Sequence, residues 1–337
     1  MWPVADRSTV VRAVTRGDMM QIIQGAVFGL LSFFAIMPTQ ATAQNIESSK
    51  DPITLAVGVD PAFSPIFYAK QNKMFEKAGL NVRIVQLAQA GDAMDGVVAR
   101  QNVLAGGSET TAITRASRGD IRGLAVFGQS SKFIKLVVRP EISSPKDIKK
   151  IGLVPGSASE FVTSKLLAKY GTDPSSVVLV RGAPPEFPAL LSRGDVDAYF
   201  LWEPWPTNGV KLGGKILMTS GDVGYSYNMI LVASGGWLER HAAQAKAVLR
   251  VLDQACKEIR ADPEKAAIAT QAEAKIPVAT ARELLKDVEC VVRDFTPEDL
   301  KIYGEVAEFL AQKKSTPGVV DVKKVMQSGF HSTSQSR

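Results

Sequence analysis

From Ile53 onward, short apolar runs alternate with stretches of helical period. Ile53 to Val59 reads as a strand, and Ser64 followed by Pro65 opens a helix; Met74, Phe75 and Leu80 continue its apolar face, and Gly79 marks its end. Val82 to Val85 is the next strand. A helix at about Asp92 to Arg100, a short strand ending in Gly106-Gly107, a helix running to Gly119 and a strand from Gly123 to Phe127 follow. Strands of period two separated by helices predict an α/β domain with a largely parallel sheet.

After a strand at Phe133 to Val138 the cycle restarts. Ser144-Pro145 caps a short helix, and Lys150 to Val154 is a strand. A helix from Ser159 to Tyr170 ends at Gly171, and Val177 to Val180, Ala198 to Trp202 and Ile216 to Met218 are further strands, with a helix at Glu186 to Arg193. Met229 to Ala233 is the last strand, and beyond it the chain is helical nearly to its end, with helix starts at Asp262-Pro263 and Thr296-Pro297-Glu298-Asp299. The simplest packing returns this tail to the first sheet. It gives one lobe from 51–136 and 230–337, a second from 137–229, and two crossings near Leu136 to Arg139 and Asn228 to Ala233 that act as a hinge over a central cleft.

The N-terminal segment follows a different pattern. Arg7, Arg12 and Arg16 precede an apolar run from Gln21 to Met37, then Pro38 and Ala41-Thr42-Ala43. The run falls short of the roughly 20 apolar residues of a spanning helix, so residues 1–43 read as a secretory signal cut after Ala43. The first cysteine is Cys256, far from where a lipoprotein would carry one, so the expected destination is the periplasm. In such a compartment Cys256 and Cys290, the only two cysteines, either pair or remain buried thiols.

Composition changes this picture little. With 45% hydrophobic and 22% charged residues the chain has the material for two ordinary cores, and a net charge of +6 is spread thinly. Even the densest basic run, Lys146 to Lys150, carries Asp147, so a solvated face is read there and no nucleic-acid partner is expected.

Several motifs stand out: Pro65-Ile66-Phe67-Tyr68-Ala69 with Gly79-Leu80, Gly107-Ser108, Gly156-Ser157, and Gly194-Asp195-Val196-Asp197-Ala198 leading into Trp202-Glu203-Pro204-Trp205. Across Ile53 to about Lys313 the chain resembles the nitrate, sulfonate, taurine and thiamine-precursor group of ABC-importer binding proteins. The resemblance implies a type II periplasmic-binding fold of two α/β lobes. It also implies a small-molecule ligand held between them, an importer's membrane subunits as partner, and no fixed ligand chemistry. The protein is expected to act as a monomer without a cofactor.

The rule that ligands bind beyond the carboxyl ends of strands leads to the same loops. Ser108 and the Gly156-Ser157-Ala158-Ser159 turn each precede a helix, where backbone N–H groups and hydroxyls bind anions or merely cap the helix. Asp60, Phe63 and Ser64 follow the first strand, Glu109 and Thr110 the third, and Gln129 and Ser130 the fourth. Trp202 and Glu203 end a strand of the second lobe, and Tyr227 precedes a crossing. Phe63, Trp202, Trp205, Tyr225 and Tyr227 are candidates to wall a pocket. Carboxylates at Asp60, Glu109, Glu186 and Glu203 sit awkwardly with a fully anionic ligand and suit a zwitterion or an amine-bearing ring, unless they only complement helix ends.

Two other classes compete. The thiamine-pyrimidine synthases that share the implied fold rely on a histidine and a cysteine-rich motif. Here the histidines are His241 and His331, both in the tail, and no cysteine lies on a cleft loop. A sensor input module would bind in the same cleft but report to a receptor. Gly209 to Lys215 approaches a phosphate-binding loop, yet Ile216 stands where Ser or Thr is required.

Overall fold

The computed structural model describes residues 52–331, so the expected signal segment and its cleavage point lie outside the described residues. In chain order the regular elements begin with β1 (Ile53–Val57), α1 (Ser64–Gln71), α2 (Met74–Lys77), β2 (Val82–Gln86), α3 (Ala90–Val98), β3 (Leu104–Ser108), α4 (Glu109–Ala116) and β4 (Ile121–Ser130). They continue with β5 (Ile134–Val138), β6 (Lys150–Leu153), α5 (Ala158–Lys169), β7 (Val178–Arg181), α6 (Phe187–Arg193), β8 (Ala198–Trp202), α7 (Trp205–Lys211) and β9 (Lys215–Thr219). The last are β10 (Tyr227–Ser234), α8 (Gly235–Ala261), α9 (Glu264–Ala274), α10 (Val278–Leu285), α11 (Pro297–Gln312) and α12 (Val322–Val325).

These strands build two five-stranded sheets, β2-β1-β3-β10-β4 and β7-β6-β8-β5-β9. Each is mixed. β1 pairs in parallel with β2 and β3, whereas β10 runs antiparallel between β3 and β4. In the second sheet β6 is parallel to β7 and β8, and β5 is antiparallel to β8 and β9. Burial follows position. β1, β3 and β10, covered on both faces, are buried nearly end to end, while the edge strands β7 and β9 leave Val178 and Ile216 exposed.

The chain passes from the first sheet to the second between Ser130 and Ile134 and returns between Thr219 and Tyr227. The crossings expected at Leu136 to Arg139 and Asn228 to Ala233 thus fall largely within β5 and β10. Leu136 to Val138 and Met229 to Ala233 are apolar and each stays paired in one sheet, so the changeover sits at the links before β5 and β10. Phe133 and Tyr227, one beside each link, stack with ring centroids 6.2 Å apart.

The tail packs on the first sheet: α8 lies on β4 and β10, and α9 on α1. Backbone bridges join Val126 to Arg293, Gln129 to Glu289 and Gly123 to Met326. Cys256 on α8 is disulfide-bonded to Cys290, the Cα atoms 5.2 Å apart and the residues separated by 34 positions. In the chain-entropy picture, closing a loop of that size stabilises the fold by about 4 kcal/mol. The bond tethers the segment that carries Arg293 to the long helix beneath it.

Candidate functional site

A cavity of about 210 Å³ lies between the two sheets. On the side of the first sheet it is lined by Asp60, Gln89, Ala90, Gly91, Asp92, Ser108, Thr111, Arg115 and Tyr227. The second sheet contributes Val154, Pro155, Ser157, Ala158 and Trp202. Three helices begin at its wall. Gln89 is the N-cap of α3 and offers no side-chain cap bond, Ser108 caps α4, and Ser157 caps α5. Each helix start presents backbone N–H groups and the positive end of its dipole, which favours an anion.

Glycines allow this convergence. A Cβ at Gly107 would stand 2.9 Å from Cβ of Ala90, so the bare backbone lets the first turn of α3 settle against β3. Gly156 adopts a φ of +63°, which turns the chain into α5. Its carbonyl accepts a bond from the Thr114 hydroxyl at 3.0 Å, a contact between the two lobes. Further contacts span the lobes at Phe161, whose ring meets Tyr225 and Phe309 edge-on, both at 5.4 Å, and at Lys165, 3.7 Å from Glu305.

Among the described residues, Arg115 is the one basic side chain on the cavity wall. Its Nε and Nη2 donate to Asp95 at 3.0 and 2.9 Å. A guanidinium has five N–H donors, so this pairing fixes the fork and leaves other donors for the cavity. Arg115 follows Thr111 by four residues, and a helix places such a pair on one face.

Asp60 is the enclosed acid of the cavity. Its side chain accepts from the Ala62 backbone at 3.0 Å, and burial, opposed by that bond and one from its own backbone, pushes its carboxyl up to about 7. Asp92 also lines the cavity, but it is exposed to solvent.

Of the residues singled out from sequence, Asp60, Ser108, Ser157, Trp202 and Tyr227 come together on this wall. The others lie outside the lining. Phe63 is core, packed on Phe67 and Phe127. Ser64 is buried as the first residue of α1 and makes no side-chain cap bond; the cap in this turn comes from Asp60. Glu109 is fully buried behind the wall, accepting from the Tyr225 and Thr110 hydroxyls and from the Asn228 backbone, with burial pushing it up to about 7. Thr110 is thereby engaged as well.

Gln129 pairs with Glu289 and Arg293, and Ser130 donates to the Asp287 carbonyl, so both belong to the link between the sheets. The Gly156 N–H donates to Glu160, and the Ser159 hydroxyl accepts from the Val154 N–H. Glu203 is fully buried and accepts from Lys135 at 2.8 Å and from the Thr207 N–H at 3.1 Å. Of the remaining candidates, Glu186 caps its own turn through the Ala183 N–H, Tyr225 bonds Glu109, and the Trp205 carbonyl accepts from Tyr199.

Arg115 and the Gln89 to Asp92 turn were not among the candidates. Extending the strand-end rule to β2, and the helix period from Ser108 through Thr111, reaches both.

The family described as NMT1/THI5 like matches residues 60–266 of this chain. A Bacillus subtilis (strain 168) protein named for binding aliphatic sulfonates is 24% identical over 288 residues, covering 82% of this chain and 86% of that protein. The taurine-binding periplasmic protein of Escherichia coli (strain K12) is 27% identical over 201 residues, 58% of this chain and 59% of its own. The crystal structure of the periplasmic aliphatic sulphonate binding protein SsuA from Escherichia coli superposes with a TM-score of 0.74 at 17% identity, covering 83% of this chain and 94% of that one. The shared architecture is the two-lobed α/β fold.

Proposed function

As the chain belongs to the NMT1/THI5-like family, we propose that it is the periplasmic solute-binding component of an ABC importer, capturing a small organic anion or zwitterion of the sulfonate kind. The observation that carries this reading is the meeting of three helix N-termini and Arg115 around one cavity. A sulfonate has three oxygens and one negative charge, which match several N–H donors and a guanidinium fork.

Binding proceeds by closure of the lobes. The ligand bridges Ser108 and Arg115 on one wall and Ser157 and Ala158 on the other, so it adds contacts to the closed form that the open form lacks. The contacts Thr114 to Gly156 and Phe161 to Phe309 belong to that closed form. The importer's membrane subunits recognise it and receive the ligand. The disulfide supports an oxidising compartment, in line with export.

Binding without turnover is supported by the relatives named above, which are binding proteins; among the described residues the ionisable groups on the cavity wall are Asp60, Asp92, Arg115 and Tyr227. Trp202 and Tyr227 favour a second reading, an aromatic ligand such as a pyrimidine stacked between them.

A thermal-shift screen against alkanesulfonates, taurine, nitrate and pyrimidines separates the two readings, because a ligand that binds only the folded state raises its melting temperature. The sulfonate reading expects dose-dependent shifts with sulfonates. A shift with pyrimidines alone would replace it, and no shift with any of them would remove it.

A further inference from the structure

Asp95 lies outside the cavity lining, yet both of its carboxyl oxygens accept from Arg115, Oδ1 from Nε at 3.0 Å and Oδ2 from Nη2 at 2.9 Å. These bonds use two of the five N–H donors of a guanidinium and leave the rest, on Nη1 and Nη2, at the edge turned away from Nε. The helix that carries Asp95 meets the fork a second time. A Cβ at Gly91 would stand 3.2 Å from Arg115 Nη2, so the guanidinium lies close to the bare backbone in the first turn of α3. Gly91 and Asp95 are spaced i, i+4, which puts them on one face of that helix. Gln89 gives the turn no side-chain cap, and Gln89, Ala90 and Gly91 all line the cavity, so backbone N–H donors stand there beside the guanidinium.

An acid at this point works against an anion site through its charge, because it repels the ligand and offsets the positive potential of Arg115. Asp95 is 47% exposed, so water screens that repulsion, whereas the paired bonds keep their geometry. What the pair supplies is order. An arginine side chain that is held in place before the ligand arrives spares binding the cost of immobilising it.

We propose that Asp95 is a positioning residue for the anion site, holding the Arg115 guanidinium against the first turn of α3 so that fork and helix start receive one anion together. The inference rests on the function proposed above and deepens it, since it states why the site is preformed.

Ethanesulfonate is the probe. Titration calorimetry near pH 7 reads its affinity for the wild-type protein, Asp95→Asn, Arg115→Lys and the double variant. Asp95→Asn is expected to weaken binding roughly 3–10-fold, the range that ordering one long side chain carries, with the melting temperature nearly unchanged. Loss of a negative charge acting through its field alone would change affinity in the opposite direction. Lysine keeps the positive charge but has no planar fork to hold. In Arg115→Lys, Asp95→Asn is therefore expected to leave affinity unchanged or to tighten it.

Equal or tighter binding in Asp95→Asn overturns the inference, as does an undiminished weakening in the Arg115→Lys background. Both results leave the sulfonate-binding function standing. A second readout needs only the wild-type protein as its subject: the Arg115 Nε–H signal in a nitrogen-15 NMR spectrum, assigned by its loss in Arg115→Lys, is expected to be sharp and slow to exchange before ligand is added. A broad, fast-exchanging signal that sharpens only with ethanesulfonate overturns the inference even if Asp95→Asn does not fold. If no alkanesulfonate binds the wild-type protein, the proposed function falls and this inference falls with it.

Discussion

Lys135 and Arg115 are both basic side chains drawn into the protein, one at the link between the sheets and one at the cavity, and they are paired differently. Lys135 lies 2.8 Å from Glu203 and 2.8 Å from Asp287, so two acids surround one cation. Burial pulls its ammonium down, but the bonds to Asp287 and Glu203 outweigh that and hold it above its ordinary value. Arg115 has one acid, Asp95, which is 47% exposed and engages one edge of the guanidinium. The first cluster is saturated and serves to tie β5, β8 and the tail together. The second keeps donors in reserve at a cavity, as a ligand site requires. A charge marks a site by what remains unpaired around it.

The largest effect that separates the clusters is expected from Lys135→Met. It strands Glu203, which is fully buried, and should lower unfolding stability by about 3–5 kcal/mol. Chemical denaturation measures it, and ligand affinity measured below the melting transition should change far less. Similar stability to wild type would show that the link does not depend on this triad.

Arg115→Met is expected to behave in the opposite way. Its removal leaves Asp95 half in water, so the melting temperature should hardly move, whereas sulfonate binding should weaken by about 1.5–3 kcal/mol, or roughly 10–150-fold. Titration calorimetry on the wild-type protein and the variant reads this. Unchanged affinity would put the anion elsewhere.

A smaller effect comes from Asp60 and depends on pH. Its carboxyl is pushed up to about 7 in the folded chain from an ordinary 3.8, because of burial. The folded state therefore keeps a proton that the unfolded chain has already released. The stability this group contributes is fully present below about pH 4 and is lost as pH rises toward 7, with about 1 kcal/mol going between pH 6 and 7. Asp60→Asn should flatten that slope in melting curves of the ligand-free protein. Glu109, also raised to about 7 by burial, leaves a remaining slope in the same window. Identical pH profiles for variant and wild type would mean that Asp60 is already ionised in the folded state.

Ser108→Ala should have the smallest effect. The hydroxyl accepts from the Thr111 N–H at 3.1 Å as the cap of α4, and losing it costs roughly 0.5–1 kcal/mol of stability. A much larger fall in sulfonate affinity than in stability would mean that the hydroxyl also contacts the ligand.

The contrast between the clusters also marks where the sequence could be read and where it could not. Alternation of period located the strands well: the apolar run Ala198 to Trp202 is β8 itself, and Lys150 to Val154 contains β6. Ser108 and Ser157 were legible as residues that follow a strand and open a helix, a local property. Trp202 and Tyr227 were legible for the same reason, one ending a strand and the other lying beside a crossing.

Pairings across the chain were not legible. Glu203 stands in the most recognisable motif, but the Lys135 that engages it is 68 residues away, and Tyr225 reaches Glu109 over 116 residues. Nothing local distinguishes an acid bound in this way from one that faces a ligand. Asp60 and Glu203 therefore looked alike in sequence, although one lines the cavity and the other is fully engaged at the link. The cysteine pair follows the same logic, since its 5.2 Å Cα separation depends on α8 and the tail segment meeting in space.

The central claim is that an anion is held between the lobes by Arg115 and the starts of α3, α4 and α5. Its most direct test is a crystal structure of the protein with the sulfonate that gives the largest thermal shift. The account predicts sulfonate oxygens within hydrogen-bonding distance of the Arg115 guanidinium and of backbone N–H groups near Gly91 and Ala158, with both lobes in contact with the ligand. A sulfonate bound outside this cavity, or inside it with its anionic head turned away from Arg115, would contradict it.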